Sequence, residues 1–158
     1  ERVDRALVEF ASKAVHPEAI AHEPCEVFAP CGLSNVINDV SVDQLGCLII
    51  AGSANVQLAR PELGERLFQR GILYAPDYVI NSGGLIYASL THLEQLQDQC
   101  ANHSGFKILP AVISKKISAI GQTLCDIYER SDREGRSTGA VADDLAEDII
   151  THRNVQAA

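Results

Sequence analysis

Positive charge is scarce in this chain. Its 158 residues carry 13 Lys and Arg against 21 Asp and Glu, a net charge of −8. That balance excludes a surface built to grip phosphate backbones, so no nucleic-acid partner is expected. Long apolar runs are also missing. None approaches the ~20 residues of a membrane helix, so no membrane partner is expected either. The charged opening "ERVDRALVEF" is no signal peptide and points to a cytoplasmic protein. Five cysteines (Cys25, Cys31, Cys47, Cys100, Cys125) are an odd count, and none forms C-x-x-C. A disulfide framework or thiolate zinc site is therefore not expected. Reduced, buried thiols are. The five histidines are scattered without H-x-x-x-H spacing, so no metal site is assigned. The chain also lacks an initiator Met and reads as part of a longer one.

Several site signatures are absent as well. No G-x-G-x-x-G occurs, so no glycine-rich pyrophosphate turn can be assigned. No G-x-x-x-x-G-K-[ST] occurs, which removes the P-loop. Internal repeats and low-complexity linkers are likewise missing.

What remains is an ordinary globular composition, 46% hydrophobic and 22% charged, in a length that suits one domain with a real core. Helical spacing of Val3, Leu7, Phe10 and Ala14 predicts a first helix over residues 1–14. "EVFA" (Glu26 to Ala29) reads as a strand. "CLIIA" (Cys47 to Ala51), bounded by Gly46 and Gly52, reads as a strand buried on both faces. Pro61 to Arg70 reads as a helix closed by Gly71. Ile72 to Ala75 reads as the third strand, with Val79 and Ile80 extending it. Helices follow at Leu85 to Gln97 and along Ile113, Ile117, Ile120, Leu124 and Ile127. A last one, Val141 to Ile150, is capped by Ser137 or Thr138 and turns Leu145 and Ile149 inward. Asp143, Asp144, Glu147 and Asp148 read as its solvated acidic face. The pattern is an α/β protein with a mostly parallel sheet and a helical C-terminal tail.

In open α/β sheets, ligands bind beyond the carboxyl ends of strands. Here those ends are "APCG" (Ala29 to Gly32), "AGSAN" (Ala51 to Asn55) and "APDYVINSGG" (Ala75 to Gly84). Small side chains let a ligand approach the main chain. The amides of Asn55 and Asn81 can both donate and accept, the mixture a ribose or a carboxamide needs. The same residues also suit plain β-α turns, but three such ends in consecutive units point to a nucleotide-type crevice.

"FAPCGLSNVIND" (Phe28 to Asp39), "IIAGSANVQL" (Ile49 to Leu58), "GILYAPDYVINSGGLI" (Gly71 to Ile86) and "SDREGRSTGAVADDLAEDII" (Ser131 to Ile150) together resemble the cofactor domain of the glutamate/leucine/phenylalanine/valine dehydrogenases, the leucine and valine members most of all. The resemblance covers nearly the whole chain. It implies a Rossmann-like domain over residues 1–158 whose first β-α-β unit is incomplete or absent, with the substrate domain outside this chain. It implies reversible, NAD-dependent oxidative deamination of an L-amino acid, with a homo-oligomer as the full-length protein. Ala29, Pro30, Cys31, Gly52, Ser53, Ala54 and Asn55 would line the cofactor. Asn81 would stand beside both nicotinamide and substrate. Ile117 and Ile120, also part of an apolar helix stripe, would contact the substrate side chain and favour a branched aliphatic one. No cationic partner for a glutamate carboxylate stands at these positions. No catalytic acid or base is expected in this chain, because the family's Lys and Asp belong to the substrate domain. Alternatives are a phenylalanine- or glutamate-type enzyme, or a non-catalytic nucleotide-fold binding module. Departures from the family pattern are Ser82 and Gly32 where Ala is usual, Val56 where Asn is common, and an insertion near Gln99 to Phe106.

Overall fold

The computed structural model describes residues 1–32, 34–100 and 110–157, with side chains through 96 and 152 in the last two stretches. Helix α1 (Arg2–Glu9) leads through a 3-10 turn at Ile20–His22 to strand β1 (Val27–Phe28). Then come α2 (Ser41–Gln44), β2 (Ile49–Ile50), α3 (Leu63–Gln69) and β3 (Leu73–Tyr74). The helices α4 (Asp77–Ile80), α5 (Gly83–Cys100), α6 (Pro110–Glu134) and α7 (Thr138–Ala157) complete the chain.

The strands form a parallel sheet in the order β1-β2-β3. Val27 pairs with Ile49 and Ile49 with Leu73; Phe28 pairs with Ile50 and Ile50 with Tyr74. Further bonds, Leu48 N to Glu26 O and Ala75 N to Ile50 O, continue the pairing past the two-residue strands, which are shorter than the four- and five-residue runs read from the sequence. The principal core lies under this sheet. Ile50, Leu63, Leu67, Val42 and Ile37 have no exposed surface there. Leu63 and Leu67, one helical turn apart, bring α3 onto β3. Gly71 then ends α3 as expected, at φ +69°. Its N–H bonds Phe68 O while Ile72 N reaches back to Leu67 O, the 6→1 closure that a left-handed residue permits.

Several expectations are corrected. Val79 and Ile80 do not extend β3. Pro76 ends the pairing, and both residues lie in α4, their N–H groups bonded to Pro76 O. The run at β2 is not buried throughout, because Leu48 is 66% exposed. Helix α1 is shorter than residues 1–14 and buries none of its residues. Thr138 does not cap α7 with its side chain: it donates its hydroxyl to Tyr74 O at 2.7 Å and ties the helix to β3. In α7, Val141 and Ala142 are buried and Leu145 packs beside them against Ile127 and Val79. Ile149 is not turned inward. One turn past those contacts, it is 49% exposed. The expected insertion falls largely on residues 101–109, outside the described residues. No helix among the described residues is long and apolar enough to cross a membrane.

Candidate functional site

The loops beyond β1, β2 and β3 meet at one end of the sheet. The first two touch through backbone. Ala54 N donates to Pro30 O at 2.8 Å. A Cβ on Gly52 would stand 2.1 Å from that same oxygen, so only glycine allows the approach. The second and third are joined by Asn81, whose Nδ2 donates to Ser53 O at 3.0 Å and to Asn55 Oδ1 at 2.7 Å.

The structure thus brings together the eight residues read as cofactor-lining and sorts them by depth. Pro30, Gly52 and Ala54 are buried and make the floor. Ala29, Cys31, Ser53 and Asn55 are exposed, and Asn81 is half-buried. Hydrogen bonding from the Ser53 side chain and backbone holds the exposed Cys31 thiol below its ordinary pKa. The expectation of buried thiols therefore holds for Cys47 but not for Cys31 or Cys125, which are exposed.

The paired amides set the chemistry. With Asn81 Nδ2 and Asn55 Oδ1 bonded to each other, Asn81 Oδ1 and Asn55 Nδ2 have no protein partner among the described residues. One acceptor and one donor left over are the complement of a carboxamide's donor and acceptor. Ser82 is spent otherwise: its hydroxyl donates to Val79 O at 2.8 Å and closes α4. Gly83 and Gly84 lie in open space, where neither would meet a neighbour if it carried a Cβ.

Ile117 and Ile120 stand on α6, which packs against α4 and α5. Ile117 is 41% exposed and Ile120 half-buried, so this part of the apolar stripe is not covered by the described residues. Asn55 also borders a cavity of about 780 Å³ that opens between α3, α4 and α7 and is lined by Arg60, Glu62, Tyr78 and Asp143. There Tyr78 donates its hydroxyl to Asp143 Oδ1 at 2.7 Å. The acidic face of α7 is correspondingly less free than the sequence suggests: Asp144 and Asp148 pair with Arg130, and Asp144 also with Arg136. The Arg136 guanidinium holds Asp144 below the usual carboxylate range.

One residue that the sequence reading passed over is Gln57. It is fully buried, and its Nε2 donates to Gly52 O at 2.8 Å and Ala54 O at 3.0 Å. Nothing in "GSANVQL" marks this Gln as different from a surface residue two places after an Asn.

A short-crossover parallel sheet whose loops converge beyond its carboxyl ends defines a Rossmann-like α/β protein. Within that class the match is specific, and residues 2–145 fit the description Glutamate/Leucine/Phenylalanine/Valine dehydrogenase. The chain belongs to this family. It is 37% identical over 150 residues to a leucine dehydrogenase of Thermoactinomyces intermedius, covering 95% of this chain and 37% of that protein. A phenylalanine dehydrogenase of Bacillus thermotolerans is 36% identical over 139 residues, covering 88% of this chain and 33% of its own length. The crystal structure of L-tryptophan dehydrogenase from Nostoc punctiforme superposes with a TM-score of 0.79 at 32% identity, over 94% of this chain and 41% of that one. The chain therefore spans well under half the length of these relatives.

Proposed function

We propose that this chain is the cofactor-side part of an NAD-dependent amino-acid dehydrogenase. Its reaction is the reversible oxidative deamination of a branched-chain L-amino acid, leucine or valine, to the 2-oxo acid and ammonia. The observation that carries the reading is the Asn81–Asn55 pair, with one acceptor and one donor left over for a carboxamide. NAD, when bound, supplies the hydride acceptor. Asn81 and Asn55 would hold its carboxamide and so present one face of the ring to the substrate. Ala29, Cys31 and Ser53 form the adjoining wall over a floor of Pro30, Gly52 and Ala54. Ile117 and Ile120 give the substrate side chain an apolar wall. The acid and base that act on the amino group belong to a substrate domain outside these 158 residues, in a protein that works as a homo-oligomer. The relatives named as leucine dehydrogenases support the substrate class. Matches to phenylalanine and tryptophan dehydrogenases favour a second reading, an aromatic substrate.

The test is NADH formation by the full-length protein with L-leucine, L-valine, L-phenylalanine, L-tryptophan and L-glutamate. Leucine and valine are expected to give the highest kcat/KM. Asn81→Ala is expected to lower it by about 10- to 100-fold through loss of ring orientation. Ile117→Ala and Ile120→Ala are expected to shift preference toward larger side chains. No NADH with any amino acid would sink the proposal. Full turnover by residues 1–158 alone would remove the assignment of acid–base chemistry elsewhere.

A further inference from the structure

Gln57 touches all three strand-end segments from one buried point. Its carbonyl accepts from Ile37 N, in the segment after β1, at 3.1 Å. Its side-chain amide donates to Gly52 O and Ala54 O, in the segment after β2. Its backbone N–H donates to Asp77 Oδ2, in the segment after β3, at 2.7 Å. Asp77 is itself held there. Its Oδ1 accepts from Tyr78 N at 2.8 Å, and its N–H donates to the Tyr74 hydroxyl at 3.2 Å. Its carbonyl accepts from Asn81 N at 3.0 Å, so the position of Asp77 fixes the residue that bridges Ser53 and Asn55.

The choice of an amide is informative. Two convergent carbonyls require two donors on one atom, which the Gln Nε2 supplies. A carboxylate would set acceptor against acceptor, and an apolar side chain would leave both carbonyls without this donor. The other amide atom, Gln57 Oε1, is buried with no partner. An unpaired buried acceptor opposes folding, so packing stability alone is a poor reason for a polar group here.

We propose that Gln57 is the positioning residue of the candidate cofactor site, holding the loops that carry Cys31, Ser53, Asn55 and Asn81 in register with one another. The inference rests on the cofactor reading above. Gln57 is set below the lip and acts through the carbonyls of Gly52 and Ala54 and through Asp77.

The experiment uses the full-length protein and compares wild type with Gln57→Met, nearly isosteric but without donors. The thermal midpoint is measured, and kcat and the KM for NAD are measured well below it. The expected result is a folded variant whose kcat/KM for NAD falls by about 10- to 100-fold, with a higher KM and a lower kcat, as misplacement of a bound reactant produces. A lower melting midpoint with NAD parameters within about twofold of wild type would mean a purely structural role and would overturn the inference alone. Wild type that neither binds NAD nor forms NADH overturns the cofactor reading and this inference together. If Gln57→Met does not fold, Asp77→Asn takes its place. It keeps the side-chain shape and sets an NH2 against either Gln57 N or Tyr78 N. A raised KM for NAD supports the proposal, and wild-type NAD parameters overturn it.

Discussion

Val56 holds φ at +51°, a left-handed conformation that a β-branched side chain adopts only under strain. Its carbonyl accepts from Asn35 N at 2.7 Å, and Asn35 is itself left-handed at φ +59° but of a type that tolerates it. Val56 is 58% exposed, so little packing repays the strain. Val56→Asn, which puts a residue tolerant of this conformation there, is expected to raise stability by about 1 kcal/mol, read as an upward shift of the urea midpoint. At the same scale, Cys31 is exposed with a lowered pKa, whereas burial pushes the Cys47 thiol up. Iodoacetamide near neutral pH should alkylate Cys31 well before Cys47, since the thiolate is the nucleophile. Bound NAD should slow alkylation of Cys31 but not of the exposed Cys125. Peptide mass spectrometry checks both, and equal protection of the two would place the cofactor elsewhere.

At the scale of elements, the joint of β3 and α4 with α7 carries a pH signature. Burial, and then the Asp77 carboxylate, raises the Tyr74 pKa. Burial, then the hydroxyl bond to Asp143, raises that of Tyr78. Both phenols therefore keep their protons in the folded state above the unfolded value of about 10. Their contribution is complete below that pH. Above it the unfolded chain binds fewer protons than the folded one, and stability falls as pH rises. Urea midpoints at about pH 8 and about pH 10.5 should show this decline, and Tyr74→Phe should flatten it. A pH-independent midpoint over that range would contradict the burial of the Tyr74 phenol, which is 4% exposed against 52% for Tyr78. The end of α3 was legible in the sequence at Gly71, and the apolar spacing along Ile113 to Ile127 marked α6, whose bounds at Pro110 and Glu134 it did not give. The boundary at Val79 and Ile80 was not legible. Two β-branched residues after a strand suit its extension equally well, and only the bonds to Pro76 O decide for a helix.

For the whole molecule, β1 is an edge of the sheet, with Val27 49% exposed, and α1 leaves Val3 and Leu7 exposed, with Phe10 exposed just past its end. A parallel edge unpaired among the described residues, and an exposed apolar stripe on a helix, are each templates for association. The isolated 158-residue chain is therefore expected to sediment as species heavier than its 17.1 kDa monomer. Val27→Lys on the edge should shift it toward monomer. A wild-type chain that stays monomeric at about 100 μM would show the edge to be protected.

The sequence by itself determined the α/β class, the mostly parallel sheet and the three small-residue ends beyond its strands. These follow from local periodicity, from turn chemistry and from the handedness of short crossovers, which act over a few residues each. It also carried enough of the family's motifs to single out Asn55 and Asn81. Only the tertiary structure decided that these two amides bond each other and leave one donor and one acceptor. It alone divided the eight candidate residues into a buried floor and an exposed lip, and raised Gln57 from a loop residue to the point where three segments join. Such facts depend on contacts between positions 20 or more residues apart, such as Gln57 with Asp77 and Asn81 with Asn55. No local pattern of residue types records which donor will meet which carbonyl across a sheet.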